Sequence, residues 1–147
     1  MDVRIIPSIQ TRDLRFRVLW PHKASIDECF IDIDEREDAF HLATFDGDRI
    51  VSVGSFFQMS SDKIESQKPY RLRAMATDPD YRGKGTGRLL IEKAKEILSE
   101  KEVDILWCDA RIVATGFYSS LGFQMLPDPY EIPIIGTHYF MWLKLDV

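Results

Sequence analysis

The sequence predicts a mixed α/β fold in one domain spanning 1–147, and three observations predict it. Tyr70 to Leu98 reads as strand, turn, glycine loop and helix; Phe40 to Phe57 reads as a β-hairpin; and 147 residues with 45% hydrophobic content suffice for one full core. No internal repeat, low-complexity tract or second domain is visible.

Composition excludes several classes. A net charge of −5 with no extended basic face disfavours a nucleic-acid binder. Met1-Asp2-Val3-Arg4 lacks a signal-peptide pattern, and no apolar run approaches the roughly 18 residues that span a bilayer, so a cytoplasmic protein without membrane partners is expected. Cys29 and Cys108 are too few for a disulfide framework and show no zinc spacing, so reduced thiols and no metal are expected.

In chain order, Val3 to Ile6 is a short strand closed by Pro7, and Ser8 is placed to cap a helix running through Leu14 and Val18 to about Trp20, where Pro21 intervenes. Arg12, Arg15 and Arg17 on that helix read as solvated charges. Seven acidic residues then crowd between Asp27 and Asp38. An EF-hand loop starting at Asp32 would need glycine where Glu37 stands, so the stretch reads as a mobile, solvated loop, with covering or selecting a substrate as the other reading. Phe40 to Phe45 and Arg49 to Phe57 are β-rich runs joined at Asp46-Gly47-Asp48, and Ser60 to Lys68 is a polar loop.

From Tyr70 to Thr77 the side chains alternate, with Leu72, Ala74 and Ala76 on one face and Arg71, Arg73, Met75 and Thr77 on the other. Asp78-Pro79-Asp80 stops this strand. Gly83, Gly85 and Gly87 follow, interleaved with Lys84 and Thr86 and flanked by Arg82 and Arg88. The helix after them carries a stripe of Leu89, Leu90, Ala94, Ile97 and Leu98. A helix start has N–H groups without internal partners and the positive end of a dipole, so glycines that admit an anion there make a phosphate site. Arg82, Lys84 and Arg88 add a local field opposite to the global one, which suits one bound polyphosphate rather than a bulk polyanion. The Walker A pattern fails at Asp78 and Gly85, and the dinucleotide G-x-G-x-x-G fails at Arg88.

Further on, Val103 to Asp109 reads as a buried strand, Arg111 to Leu121 as a helix ended by Gly122, and Phe123 to Leu126 as the start of another strand. Pro127, Pro129 and Pro133 punctuate a loop, and His138 to Leu145 closes the sheet. The bulky run Phe140 to Leu143 is read either as burial within the domain or as a homodimer contact. His22 and His138 have no partner at a catalytic or metal spacing, and Cys108 reads as core.

Two motifs carry a family resemblance. Arg82, Gly85 and Gly87 make an R-x-x-G-x-G after a strand and an Asp-Pro turn, and Ala114, Phe117, Tyr118, Leu121, Gly122 and Phe123 make an A-x-x-F-Y-x-x-L-G-F downstream. Together they resemble the GNAT superfamily of N-acetyltransferases, closely over 70–126 and in element order before that. The resemblance implies a central, mostly antiparallel sheet, splayed at its fourth and fifth strands and flanked by helices. It implies acetyl-coenzyme A as co-substrate: Met75, Ala76 and Thr77 would offer backbone groups to its pantetheine arm, and Arg82, Gly83, Lys84, Gly85, Thr86 and Gly87 would hold its pyrophosphate. An N–H near Met75 would polarise the thioester carbonyl.

The implied reaction moves an acetyl group directly to a primary amine of a small molecule or protein, with Tyr118 as the acid that protonates the departing thiolate; a packed Tyr118 is the competing reading. Many family members place a glutamate base on the fourth strand, where this chain has Arg71 and Arg73. That leaves His41, Asp109 or water as base. The two arginines either select an acceptor bearing a carboxylate or phosphate, or pair with an acid on the adjacent strand. A coenzyme A-binding sensor or interaction module without turnover is the alternative from a different functional class.

Overall fold

A computed structural model describes residues 1–145. Eight strands, β1 (Asp2–Ile6), β2 (Phe40–Asp46), β3 (Arg49–Gln58), β4 (Pro69–Thr77), β5 (Ile105–Arg111), β6 (Gln124–Met125), β7 (Tyr130–Ile132) and β8 (Gly136–Lys144), make a mixed sheet flanked by helices. The chain divides into two compact units, Met1–Gln58 with Leu72–Ile97, and Met59–Arg71 with the chain from Leu98 onward; β4 runs from the second into the first.

In the first unit β1, β2 and β3 are antiparallel neighbours and β4 lies beside β3. The first helical run, α1, changes pitch along its length: a 3-10 turn over Ser8–Thr11, an α turn over Arg12–Leu14 and a π segment over Arg15–Leu19. Ser8 is not its cap. Pro7 holds the N-cap position with extended backbone, and the Ser8 hydroxyl donates instead to Glu35. Leu14, Val18 and Leu19 pack on Ile6, Ala43, Phe45, Val53 and Ala76 to form one core cluster.

Helix α2 (Thr86–Glu100) buries Leu90, Ile91, Ala94 and Leu98 completely, while Leu89, expected in its stripe, is 43% exposed. Ile91 takes that place because the real stripe is rotated by a fraction of a turn. Gly54 sets the approach of the helix to β3: a Cβ there would stand 3.1 Å from Leu90 Cδ2 and 3.3 Å from Met75 Sδ.

Ala74 interrupts β4. Its φ of 54° lies in the left-handed region, unusual for a residue with a Cβ. One such residue inverts the alternation that follows it. Leu72 and Met75 therefore both reach the space over Gly54, and Ala76 turns to the Leu14 cluster. The expected grouping of Leu72, Ala74 and Ala76 on one face fails for this reason.

One expectation for the N-terminal half is overturned and one is modified. Arg15 is fully buried rather than solvated, and the acidic segment, exposed at Asp27, Glu28, Asp32, Glu35 and Glu37, is held down at Asp34. Arg15 Nη1 and Nη2 donate to Asp34 at 2.8 and 3.0 Å; Nη2 also donates to Ser55 Oγ at 2.8 Å and Nη1 to the Cys29 carbonyl at 3.1 Å. Asp34 further accepts the Ile31 N–H at 2.8 Å, and Cys29, Ile31 and Asp34 are buried. Burial disfavours the Asp34 carboxylate, but the Arg15 guanidinium and the Ile31 amide outweigh it and hold its pKa below the ordinary value.

In the second unit β5 is parallel to the start of β4, over Pro69–Arg71 with Ile105–Trp107, and antiparallel to β8. β8 also pairs with β6 and with β7, a strand that lies between Pro129 and Pro133 where the prolines predict a loop. Helix α3 (Thr115–Ser120) is shorter than expected, a 3-10 turn over Ile112–Ala114 preceding it, and Gly122, φ 94°, closes it. Ile105, Trp107 and Phe140 form the core of this sheet face with Met59, Ile64, Leu126, Tyr130 and Trp142. Of that bulky run Phe140, Met141 and Leu143 are buried within the unit and Trp142 is half-buried. Among the described residues, no helix is long and apolar enough to cross a membrane and no cluster of three His, Cys, Asp or Glu could hold a metal.

Candidate active site

The glycine loop is held at its ends and open in its middle. Asp78, buried at the end of β4, caps the 3-10 turn Pro79–Tyr81 by accepting the Asp80 N–H at 3.0 Å. The same carboxylate accepts Arg17 from α1 at 3.2 Å and Arg49 from β3 at 2.9 Å. The Asp80 amide and the two guanidiniums keep its pKa below the ordinary value. Tyr81 then donates to Asp46 at 2.6 Å with Arg49 over its ring, and Thr44 Oγ1 donates to the Thr86 carbonyl at 2.9 Å. The start of α2 is thus fastened to the β2–β3 hairpin.

Between these anchors Arg82, Gly83, Lys84 and Gly85 are exposed. Gly83 and Gly85 have φ of 76° and 78°, so the left-handed turns demand glycine, and a Cβ built on either would meet nothing within 4 Å. Open space above the backbone, beside the first N–H groups of a 15-residue helix and three cationic side chains, fits a pyrophosphate. Gly87 and Thr86 are buried in the first turn of that helix. Met75, Ala76 and Thr77 end β4; Ala76 is buried, while Met75 and Thr77 are half-buried.

Tyr118 sits in α3, 5% exposed, with Phe117 and Phe123 rings 5.1 and 5.2 Å from its own. Burial raises its phenol pKa well above the ordinary value, aided by Cys108 nearby. It therefore stays neutral and can act only as a proton donor in the physiological range. Cys108 is buried and its thiol is likewise raised by burial, which leaves it core rather than nucleophile.

Both side chains considered as bases are engaged. His41 is 4% exposed; its Nδ1 lies 2.8 Å from Ser55 Oγ and its Nε2 donates to the Asp34 carbonyl at 3.0 Å, which makes it part of the Arg15 network. Asp109 accepts Arg71 Nη2 at 2.6 Å on one oxygen and the Tyr130 hydroxyl on the other. Arg71, with Trp107 under its guanidinium at 4.9 Å, is therefore the arginine paired with an adjacent-strand acid. The sequence missed Asp78, Tyr81 and Thr44 as anchors and Tyr130 as a partner of Asp109. The Asp-Pro turn marked Asp78, but its partners lie 61 and 29 residues away.

The model of the acetyltransferase (GNAT) family matches residues 7–123. The chain belongs to that family. A Bacillus subtilis (strain 168) protein, described as the uncharacterized N-acetyltransferase YitI, is 37% identical over 99% of this chain and 97% of its own length. Among solved structures, the N-acyl amino acid synthase FeeM from uncultured soil microbes superposes with a TM-score of 0.78 at 18% identity, covering 97% of this chain and 90% of that one. An aminoglycoside 6′-N-acetyltransferase complexed with coenzyme A gives a TM-score of 0.75 at 13% identity, covering 98% and 97%. These structures share the GNAT fold with this chain.

Proposed function

We propose that this GNAT chain transfers an acetyl group from acetyl-coenzyme A directly to a primary amine of a small molecule or protein. The observation that carries the reading is the loop of two left-handed glycines, cationic, open above its backbone and bolted at both ends, leading into α2. Arg82 to Gly87 hold the pyrophosphate, and Met75 to Thr77 offer backbone groups to the pantetheine arm, one N–H polarising the thioester carbonyl. An oxyanion contact of that kind contributes about 3–4 kcal/mol in other acyl transfers. The amine attacks the carbonyl carbon, a C–N bond forms, the C–S bond breaks, and Tyr118 supplies the proton that the thiolate needs. A phenol is a weaker acid than a thiol in water, so the transfer works only with the thiolate desolvated as it forms. With His41 and Asp109 both engaged, water takes the proton of the substrate ammonium to free the amine that attacks, and the proton that the nitrogen sheds on acylation restores Tyr118.

Thermal melting with acetyl-coenzyme A, with NADH and ATP as controls, tests the cofactor. At about 100 times the dissociation constant the ligand adds about 2.7 kcal/mol, a rise of several degrees. Gly85→Asp, which adds bulk and negative charge at a left-handed position, abolishes the rise. A larger rise with a nucleotide, or an undiminished one in Gly85→Asp, overturns the assignment.

A further inference from the structure

Lys63 stands on a tight turn in the second unit. Its N–H donates to Ser61 Oγ at 3.2 Å, Ser61 and Ile64 form an isolated bridge, and Ile64 packs into the Trp107–Phe140 cluster. The turn is pinned beneath, and the Lys63 side chain is exposed. It lies with its ammonium 3.7 Å from the centre of the Tyr130 ring and 5.6 Å from that of Phe140.

The rings that receive this ammonium are fixed from behind. Tyr130 donates its hydroxyl to Asp109, which Arg71 holds on the other side, and its ring stacks on His138 at 6.3 Å. Phe140 is 1% exposed and stacks on Trp107 at 5.3 Å. Two aromatic faces of set orientation therefore meet one exposed lysine ammonium. Such faces attract any alkylammonium through the ring quadrupole. Asp109 adds negative charge at the phenol end, while the neighbouring Arg71 balances it, so the rings rather than a carboxylate select the guest.

We propose that the Tyr130–Phe140 pair is a binding site for an alkylammonium group, and that Lys63 is its intramolecular occupant, displaced when an external amine binds. The proposal rests on the reading that the chain acetylates a primary amine, whose charged form is the matching guest. It makes Lys63 a competitor built into the chain, and Tyr130 a specificity-determining residue that holds the acceptor before it loses its proton. Exchange of one primary ammonium for another leaves the charge of the site unchanged, so entry costs little beyond releasing the lysine stem.

The test uses n-butylammonium as probe, its binding to the whole protein followed by NMR line broadening without acetyl-coenzyme A. Lys63→Gln binds the probe about two- to five-fold more tightly than the parent, since the resident cation is gone. Lys63→Arg stays at the parental value. In the Lys63→Gln background Tyr130→Phe keeps binding, because the ring remains, and Tyr130→Leu loses it. Equal affinity in Lys63→Gln and parent, or probe binding unmoved by Tyr130→Leu with a retained fold, overturns the proposal. Should Tyr130→Leu not fold, the Gln and Arg variants at position 63 still decide. Binding without acetyl-coenzyme A separates this outcome from the acetyltransferase reading, which the coenzyme melt with its nucleotide and Gly85→Asp controls tests.

Discussion

Each unit carries an arginine–aspartate knot on its sheet, and the two differ in burial. In the first unit Arg15 and Asp34 are sealed, 0% and 5% exposed; Arg15 also donates to Ser55 Oγ and the Cys29 carbonyl, and Asp34 also accepts the Ile31 amide. In the second, Arg71 and Asp109 each leave 21% of their side chains exposed, and their neighbours Tyr130 and Lys63 reach solvent. A sealed pair cannot exchange partners without a large desolvation penalty, so it acts as a fastener for the segment it holds. A half-open pair gains less from its Coulomb attraction, because water screens it, and can orient groups that meet a ligand. Identical chemistry is thus structural in one place and adaptable in the other.

The widest separation between the knots comes from Arg15→Met, which leaves Asp34 buried and unpaired. Removing one partner of a buried pair costs about 3–5 kcal/mol, and melting falls by about 10 °C or more. A loss under about 1 kcal/mol would erase the distinction. Tyr118→Phe sharpens it from another side, as a sealed group to which the proposed reaction gives a proton transfer: turnover falls about 100-fold, with coenzyme binding and melting temperature nearly unchanged. Unaltered turnover across the pH range would leave Tyr118 a packing residue.

Acid acts on the sealed knot next. The pKa values of Asp34 and Asp78 are lowered in the folded state, so their contribution is fully present above the unfolded value of about 3.9 and is lost as pH falls through the folded values. Melting temperature stays level from pH 7 to 5 and declines below about pH 4. A decline already between pH 7 and 5 would point to a histidine instead. Arg71→Met has the smallest effect, about 1 kcal/mol or less, since its pair is part-solvated. A loss as large as that of Arg15→Met would mean the second knot is a fastener too.

How far the sequence reveals this depends on range. The hairpin, the strand–loop–helix unit and the second-motif helix are legible because turn residues and apolar periods act within a few positions. Gly83 and Gly85 are legible as left-handed turn residues of the candidate site for the same reason, since the backbone angles they allow are local. Arg15 escaped because nothing near it betrays burial; its partners stand at 29, 34 and 55. Tyr130 was lost with β7, a three-residue strand recognisable only from its pairing with β8. His41 looked like a base from its residue type alone, and only the groups on both ring nitrogens show it to be engaged.

Ala74 gives β4 something like a reading frame. Each residue of a strand belongs to one of two faces, and the single left-handed residue shifts that frame by one, so that Met75 and Ala76 land on Leu90 and Leu14 respectively. Plain alternation over the same residues, with Ala74 extended, would put both downstream side chains on the wrong face. An insertion in an exposed loop carries no such penalty. The count of residues between Leu72 and the loop at Asp78 is therefore tied to the left-handed turn at Ala74.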